Sequence, residues 1–301
     1  MFCQNRARLR RNLCHTILDW DTLQVESEAV DTSLQPLLRE TPLPSPDEEA
    51  PPTYSFPLSS WIYHYKLRQM EHILLLGFEL EIYQPHEYAG MYWYLQHYLR
   101  TRIGHLERIR GFVAHRNTGS PRSTQTLQFL NFQLLQATAL MDLATAGVYL
   151  YTALTRLGLL PSPNLPYGSD ELRYELRMKP FLTIGCPEVV PFEIFTEVVD
   201  PPDTDTADLL EFAGESVAEA KIGLGRWMKI APEMTRTVLC EVDAKKEVQG
   251  LLKSAFGLGV VVGVVRREME AGKVDGCKVK WEGEAKGWHK CFKVPEVVVG
   301  K

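Results

Sequence analysis

Apolar side chains recur every three or four residues along most of this chain, and proline-rich segments divide the pattern into separate helices. The first helix is predicted over residues 4–30, within an N-terminal unit of residues 1–35, and has an arginine-rich start. Residues 36–57 carry seven prolines, which remove backbone donors and fix φ, so they are predicted to form a linker or a wrapping arm. Residues 58–270 are predicted to be a mainly α, multi-helix scaffold domain.

A pair of helices is predicted directly after the proline-rich segment. The first begins where Ser59 or Ser60 can cap it, and the second begins at Pro85, because proline is well tolerated in the first helical turn. Residues 115–124 read as a loop, and residues 124–160 as a long apolar helix. No internal repeat of 20–50 residues is visible.

The C-terminal part is predicted to combine helices with one extended segment. A short helix ends at Lys179, and residues 180–203 read as extended and irregular because they carry five prolines. Two further helices are predicted over residues 203–228 and 233–270. Three glycines are expected to interrupt the last helix: Gly257, Gly259 and Gly263.

The last segment, residues 271–301, is predicted to form a short β-like tail, since apolar and charged residues alternate over residues 277–282. The tail also holds one candidate for metal chemistry, Cys277 with His289 and Cys291. A structural zinc site takes four ligands, usually in two close pairs, and here only the last two residues form such a pair. Cysteines that pack in the core or lie at the surface are the favoured interpretation, so no metal is predicted.

Composition narrows the class of protein. With 301 residues, 45% of them hydrophobic, the chain can bury a sizeable core, and its net charge of −5 leaves the chain as a whole without the basic excess that wraps a phosphate backbone. Six scattered cysteines and the lack of a secretory signal pattern predict a reducing, cytoplasmic location, with a mitochondrial presequence as the weaker alternative. The most apolar run, Ala255–Val265, is shorter than the ~20 residues of a membrane span, so no membrane contact is predicted.

The stretch from His72 to Leu99 sets carboxylates among aromatic residues, which suits either a reaction centre or a surface that holds another protein. On a helix, Glu79 and Glu81 would point to opposite sides and could not act on one atom, and Glu87 complements a helix N-terminus after Pro85. A scaffold is therefore favoured over an independent helical enzyme that uses these carboxylates. The candidate residues for partner binding or for fixing the scaffold are Glu79, Glu81, Tyr83, Glu87, Tyr92, Trp93 and Tyr94.

Arginines dominate the charge of residues 100–122, where Glu107 is the only acid. Guanidinium groups suit phosphate, including ribosomal RNA, although a solvated helix end explains the same pattern. The candidate RNA contacts are Arg108, Arg110, Arg116 and Arg122. The glycines of residues 221–227 and 257–263 do not match a phosphate loop or a dinucleotide fingerprint, and no catalytic motif is present, so the sequence predicts neither a cofactor nor a catalytic residue on this chain.

Two blocks carry a family resemblance: "RQMEHILLLGFELEIYQPHEYAGMYWYL" and "ELRYELRMKPFLTIGCPEVVPFEIF", the latter over Glu171–Phe195. Both are similar to the auxiliary subunit of the N-terminal acetyltransferase C complex. The resemblance implies a large non-catalytic scaffold for a GNAT-fold catalytic subunit and a small Sm-like subunit. It also implies action at the ribosome on nascent chains that begin with methionine and a bulky hydrophobic residue, with acetyl-CoA on the catalytic subunit.

The chain itself lacks the acetyl-CoA signature of GNAT enzymes, which agrees with a non-catalytic role. It resembles only the C-terminal half of the longer family members. A fragment, an incomplete gene model and a truncated inactive paralogue are therefore alternatives to a complete scaffold.

Overall fold

The structure, a computed structural model, describes residues 2–39, 57–115, 121–160, 169–184, 188–237, 244–280 and 288–299. Helices dominate these ranges, which confirms the mainly α prediction. The α-helices are α1 (Phe2–Arg39), α2 (Pro57–Glu79), α3 (Tyr88–His115), α4 (Pro121–Arg156), α5 (Asp170–Ile184), α6 (Phe192–Val199), α7 (Thr206–Thr237) and α8 (Ala244–Glu270). Two short strands, β1 (Cys277–Lys280) and β2 (Glu296–Val299), and two 3-10 helices, Pro85–Glu87 and Val274–Gly276, are the other described elements.

The first two helices pack against each other, and α1 is longer than predicted, since it continues to Arg39. Residues 40–56, most of the predicted linker, lie outside the described residues. The predicted cap of α2 is wrong, because Pro57 occupies its first position and the cap comes from another helix. Asp31 Oδ2 accepts a hydrogen bond from the backbone N–H of Ser59 over 3.0 Å and satisfies one of the donors left open at the helix start.

The predicted helical pair is confirmed. After α2 ends, a 3-10 helix over Pro85–Glu87 leads directly into α3. The turn between them requires a left-handed backbone at Glu81, where φ is 54°. Glu81 therefore lies in a turn, whereas the sequence was interpreted with both Glu79 and Glu81 on a helix.

The core is built by four helices packed side by side, two of which, α4 and α7, are separated in the chain by α5 and α6. Helix α3 packs on α4, α4 on α7, and α7 on α8. Helix α4 is the central element of this stack. It ends at Arg156, two residues before Gly158, whose φ of 66° favours glycine. The N–H groups of Gly158 and Leu159 bond back to the carbonyls of Thr155 and Leu154, which closes the helix end.

The predicted boundaries between Lys179 and residue 203 are wrong. Helix α5 continues to Ile184, because the buried Phe181 ties its last turn to the core. Helix α6 lies inside the segment predicted to be extended. Its prolines flank the helix and do not interrupt it, while Phe192, Phe195 and Val199 keep the helical spacing and pack on the core.

Helix α8 is continuous, so the predicted interruption at its glycines is wrong. Two of them are sites of close approach: a Cβ at Gly257 would lie 2.8 Å from Cγ1 of Val294, and one at Gly259 would lie 3.0 Å from Nζ of Lys221. The glycines therefore let the tail and α7 approach α8. Their effect on helix propensity is outweighed by this packing.

The β-like tail is confirmed by an antiparallel pair of strands, in which Cys277 pairs with Val299 and Lys280 with Glu296. The division of the chain into domains stays a prediction. Two described helices are long and apolar enough to cross a membrane: α4 over Thr124–Arg156 and α8 over Lys245–Glu270. The most apolar window of α4 is 72% buried inside the fold and that of α8 is 44% buried, and a buried core helix meets the same criteria.

Candidate functional site

The three carboxylates of the predicted site have separate surroundings. Glu79, at the end of α2, forms an exposed ion pair of 3.2 Å with Nζ of Lys290. Glu81 is exposed in the turn. Glu87 is the last residue of the 3-10 helix that leads into α3, and it is paired with Arg177. An acid and base pair acting on one atom is therefore not assembled by these residues, which argues against the enzyme alternative.

Glu87 fixes the start of α3 to α5. Its Oε2 accepts a hydrogen bond of 2.7 Å from the backbone N–H of Gln84, as expected for an acid in the first turn. Arg177 of α5 donates from Nε to Oε1 over 2.6 Å and from a terminal nitrogen to Oε2 over 3.1 Å. This bidentate, largely buried ion pair holds the start of α3 and helix α5 in one relative orientation.

Tyr92 of α3 is the centre of an aromatic stack. Its ring lies between Phe78, with centroids 4.4 Å apart and planes at 15°, and Phe292, at 5.6 Å and 9°. The hydroxyl donates to the carbonyl of Cys291 over 2.9 Å and accepts from the N–H of Lys293 over 3.1 Å. Burial raises the pKa of Tyr92 well above its usual value, so the hydroxyl stays protonated as a donor.

Residues 288–294 form a plug that joins α2, α3, α4 and α8. In addition to the bonds to Tyr92, the hydroxyl of Tyr151 donates to the carbonyl of Lys293 over 2.7 Å. The N–H of His289 donates to Oγ of Ser254 over 2.9 Å. This plug was not predicted from the sequence, where its only signal is the presence of Trp288, Phe292 and Val294 within an otherwise charged tail.

A second polar cluster joins α3 to α5 and α6. The hydroxyls of Tyr94 and Tyr174 are hydrogen-bonded at 2.8 Å, and the backbone of Val190 donates to the first and accepts from the second. Phe195 of α6 stacks on Tyr94 with centroids 5.8 Å apart, and its ring edge faces Trp93. These contacts fasten the α5–α6 segment to the outer side of α3.

The aromatic members of the predicted site thus fall into two groups. Tyr83, Tyr92 and Tyr94 are buried within the chain's own core, with at most 2% of their surface exposed. Trp93 is half-buried and stacks on His97. Burial favours the alternative in which these rings fix the scaffold, and direct contact with a partner stays a prediction for the exposed members.

We expect Gly90→Ala to loosen the α6 contact and Gly104→Ala to stabilise the protein. A Cβ at Gly90 would lie 2.2 Å from Cζ of Phe195, so the ring must move, whereas Gly104 of the same helix has no atom within 4 Å of such a Cβ. The first substitution should cost about 1–3 kcal/mol. The second should gain about 0.5–1 kcal/mol from helix propensity. Urea unfolding of both variants measures the difference, and equal shifts would contradict the packing at Gly90.

The metal candidate of the tail is not assembled. Burial raises the pKa of Cys291 to about 12 and lowers that of His289 to about 4, so both are neutral near pH 7. Nδ1 of His289 accepts a hydrogen bond of 3.3 Å from the N–H of Cys291, and Cys277 lies on β1. Across the described ranges, no three His, Cys, Asp or Glu side chains group as a metal site requires.

The predicted RNA contacts are only partly described. Arg108 and Arg110 are exposed on α3. Arg116 lies outside the described residues. For Arg122, in the first turn of α4, the structure describes only the backbone. Arg102, one of the arginines counted in this basic segment, is buried and paired with Glu71, so the segment offers fewer surface cations than the sequence indicates.

The sequence of this chain is similar to those of a known protein family. The family model described as "NAA35-like, TPR repeats" matches residues 1–295. The yeast Saccharomyces cerevisiae protein "N-alpha-acetyltransferase 35, NatC auxiliary subunit" is 25% identical over an alignment that covers 94% of this chain and 38% of the relative. The human and Gallus gallus proteins of that name are 27% and 29% identical, each over 72% of this chain and 31% of the relative.

Solved structures share the fold. The crystal structure of the apo NatC complex contains a chain that matches with a TM-score of 0.74 and 19% identity, covering 98% of this chain and 45% of the matched one. The NatC complex bound to Gag peptide and CoA matches equally well. This chain spans only 31–38% of the length of the relatives named above. The match over nearly all residues shows that the chain belongs to the family of NAA35-like proteins with TPR repeats.

Proposed function

We propose that this chain acts as a non-catalytic scaffold in an N-terminal acetyltransferase C complex. The observation that carries the proposal is the family match over residues 1–295, since the relatives are named as auxiliary subunits of that complex. The site geometry supports it, because Glu87 is used in an internal ion pair and Tyr92 and Tyr94 in internal packing. The catalytic GNAT-fold subunit would supply acetyl-CoA binding and the chemical step.

The finer parts of the proposal follow from the family resemblance. The assembled complex would acetylate nascent chains that begin with methionine and a bulky hydrophobic residue. It would include a small Sm-like subunit and work in the cytoplasm at the ribosome. In this scheme the α2–α3 turn takes no part in the chemistry, and it positions helices that a partner can use.

We expect the chain to co-purify with a catalytic acetyltransferase subunit of this complex when the two are co-expressed. The chain alone should transfer no acetyl group from acetyl-CoA to a Met-Leu peptide, because its sequence lacks the GNAT acetyl-CoA signature and its candidate carboxylates Glu79, Glu81 and Glu87 do not form a catalytic pair. Affinity purification followed by a peptide acetylation assay measures both properties. A chain that stays alone, or one that acetylates the peptide after contaminating enzymes are removed, would refute the scaffold role.

Ribosome contact through the basic segment is a separate part of the proposal. Each phosphate contact releases counterions, so association should weaken steeply as salt rises. Cosedimentation with ribosomes at fixed ionic strength should fall when four arginines are changed to glutamine, and less so when four N-terminal ones are changed. The test set is Arg108, Arg110, Arg116 and Arg122, and the control set is Arg6, Arg8, Arg10 and Arg11. Equal losses would indicate only diffuse electrostatics.

A further inference from the structure

A cavity of about 370 Å³ opens between α1, α2 and α3, away from the plug and the aromatic stack. Its walls combine aromatic and charged residues, and its volume lies at the lower end of the ~300–1,000 Å³ typical of ligand pockets. It is therefore large enough for one or two side chains of a partner and too small for a folded domain. The residues that decide its chemistry are Trp61, Tyr63, His105, Phe112, Arg108 and Glu28.

The floor of the cavity is held in place by the surrounding helices. The imidazole of His105 is bonded through Nε2 to the carbonyl of Ser60 at 2.8 Å, and its edge packs against Tyr63 with centroids 4.8 Å apart. Burial lowers the pKa of His105, so the neutral ring can donate this bond. Trp61 also packs against Phe129 of α4, at a centroid distance of 5.9 Å. The aromatic surface is thus formed before any ligand arrives.

Arg108 gives the cavity a positive edge. Its Nε donates to the carbonyl of Gly104, a turn earlier, over 3.3 Å, and in the part of the chain that the structure describes it forms no ion pair. On the α1 side, Glu28 accepts a hydrogen bond of 3.1 Å from the amide of Gln24. The cavity therefore offers a cation on one side and acceptor oxygens on the other, with apolar rings between them.

We propose that this cavity binds a peptide segment of a partner protein that inserts one aromatic side chain between Trp61 and Phe112 and places a neighbouring carboxylate on Arg108. The apolar rings supply the favourable burial, and the ion pair sets the register of the segment. Glu28 accepts from backbone N–H groups of the peptide and repels a second acid on that side. This site is separate from the scaffold contacts of the α2–α3 turn.

The test uses the full chain labelled with 5-fluorotryptophan, and the fluorine resonance of Trp61 is assigned by its loss in Trp61→Phe. The probes are acetyl-Phe-Asp amide, its Asn analogue acetyl-Phe-Asn amide, and acetyl-Ala-Asp amide. The first should shift the Trp61 resonance saturably. The Asn analogue should bind about threefold to fivefold more weakly, because an exposed ion pair contributes modestly, and the Ala analogue should be weaker still.

Two variants of the same helix give a matched control. Arg108→Gln should weaken the binding of acetyl-Phe-Asp amide to the level seen with the Asn analogue. Arg110→Gln removes the same charge from an exposed position that does not line the cavity, so it should leave the binding of this peptide unchanged. No saturable shift of the Trp61 resonance, equal effects of the two variants, or equal binding of the Phe and Ala peptides would overturn the proposal. Co-purification with the catalytic subunit is read out separately, so either proposal can fail alone.

Discussion

Replacement of Arg102 by methionine is expected to lower the free energy of unfolding by about 3–5 kcal/mol. Arg102 is 1% exposed and donates from one terminal nitrogen to Oε2 of Glu71 and from the other to Oε1 of Gln133, the latter over 2.7 Å. Glu71 is itself 4% exposed. Without the guanidinium, its carboxylate would be left buried and uncompensated, which costs far more than the net value of the pair.

The double variant Glu71→Leu with Arg102→Met should recover most of this loss, because it removes both charges from the core at once. Arg100→Gln on the exposed face of the same helix is the control and should stay within about 0.5 kcal/mol of the parent. Urea unfolding followed by circular dichroism gives the free energies. A small effect of Arg102→Met would mean that Glu71 reaches water or takes a proton, in conflict with the buried pair.

Phe292→Ala is expected to cost about 3–5 kcal/mol as well, because it empties the site that the plug fills beside Tyr92. Phe292 is 1% exposed and stacks on Tyr92 at 5.6 Å. Loss of this ring should also weaken the hydrogen bond that the Tyr92 hydroxyl donates to the carbonyl of Cys291 and the one that it accepts from the N–H of Lys293. The thermal unfolding midpoint should therefore fall by several degrees.

The matched control for this prediction is Val298→Ala on β2, which removes an apolar side chain that is 37% exposed from the same tail. It should lower the free energy of unfolding by well under half as much as Phe292→Ala. Phe292→Leu, which keeps most of the buried volume, should lie between the two. If Phe292→Ala left stability unchanged, residues 288–294 would not act as a plug, and the contacts between the tail and α3 would be incidental.

These two predictions bear on the proposed scaffold role, because both act on contacts that set the relative positions of helices. The Arg102 network joins α2, α3 and α4, and the plug joins them to α8. A scaffold offers partners a fixed arrangement of surfaces, so loss of either contact should reduce co-purification with the catalytic subunit through instability. The Arg100→Gln control, at an exposed position of α3, should leave both stability and co-purification unaffected.

The repeat character of the family was not visible in the sequence. Successive helices α2, α3 and α4 have 23, 28 and 36 residues, so neighbouring helix pairs share no fixed period even though they stack in order. Helix α6 was missed for a related reason. Prolines at both its ends indicated an extended segment, and its eight residues are few for a periodic signal, so contact with α3 and the core decided its conformation.

The sequence by itself determined the mainly α fold, the helical pair with its break at Pro85, the strand-like tail and the family blocks, because these depend on residues close together in the chain. Only the tertiary structure decided which of the candidate side chains face inward. Tyr92 meets Cys291 across 199 positions, and Arg102 meets Glu71 and Gln133 across 31 each. A tyrosine or an arginine on an amphipathic helix suits a surface or a core equally well until its partners from distant segments are known, and burial then assigns these residues to the scaffold.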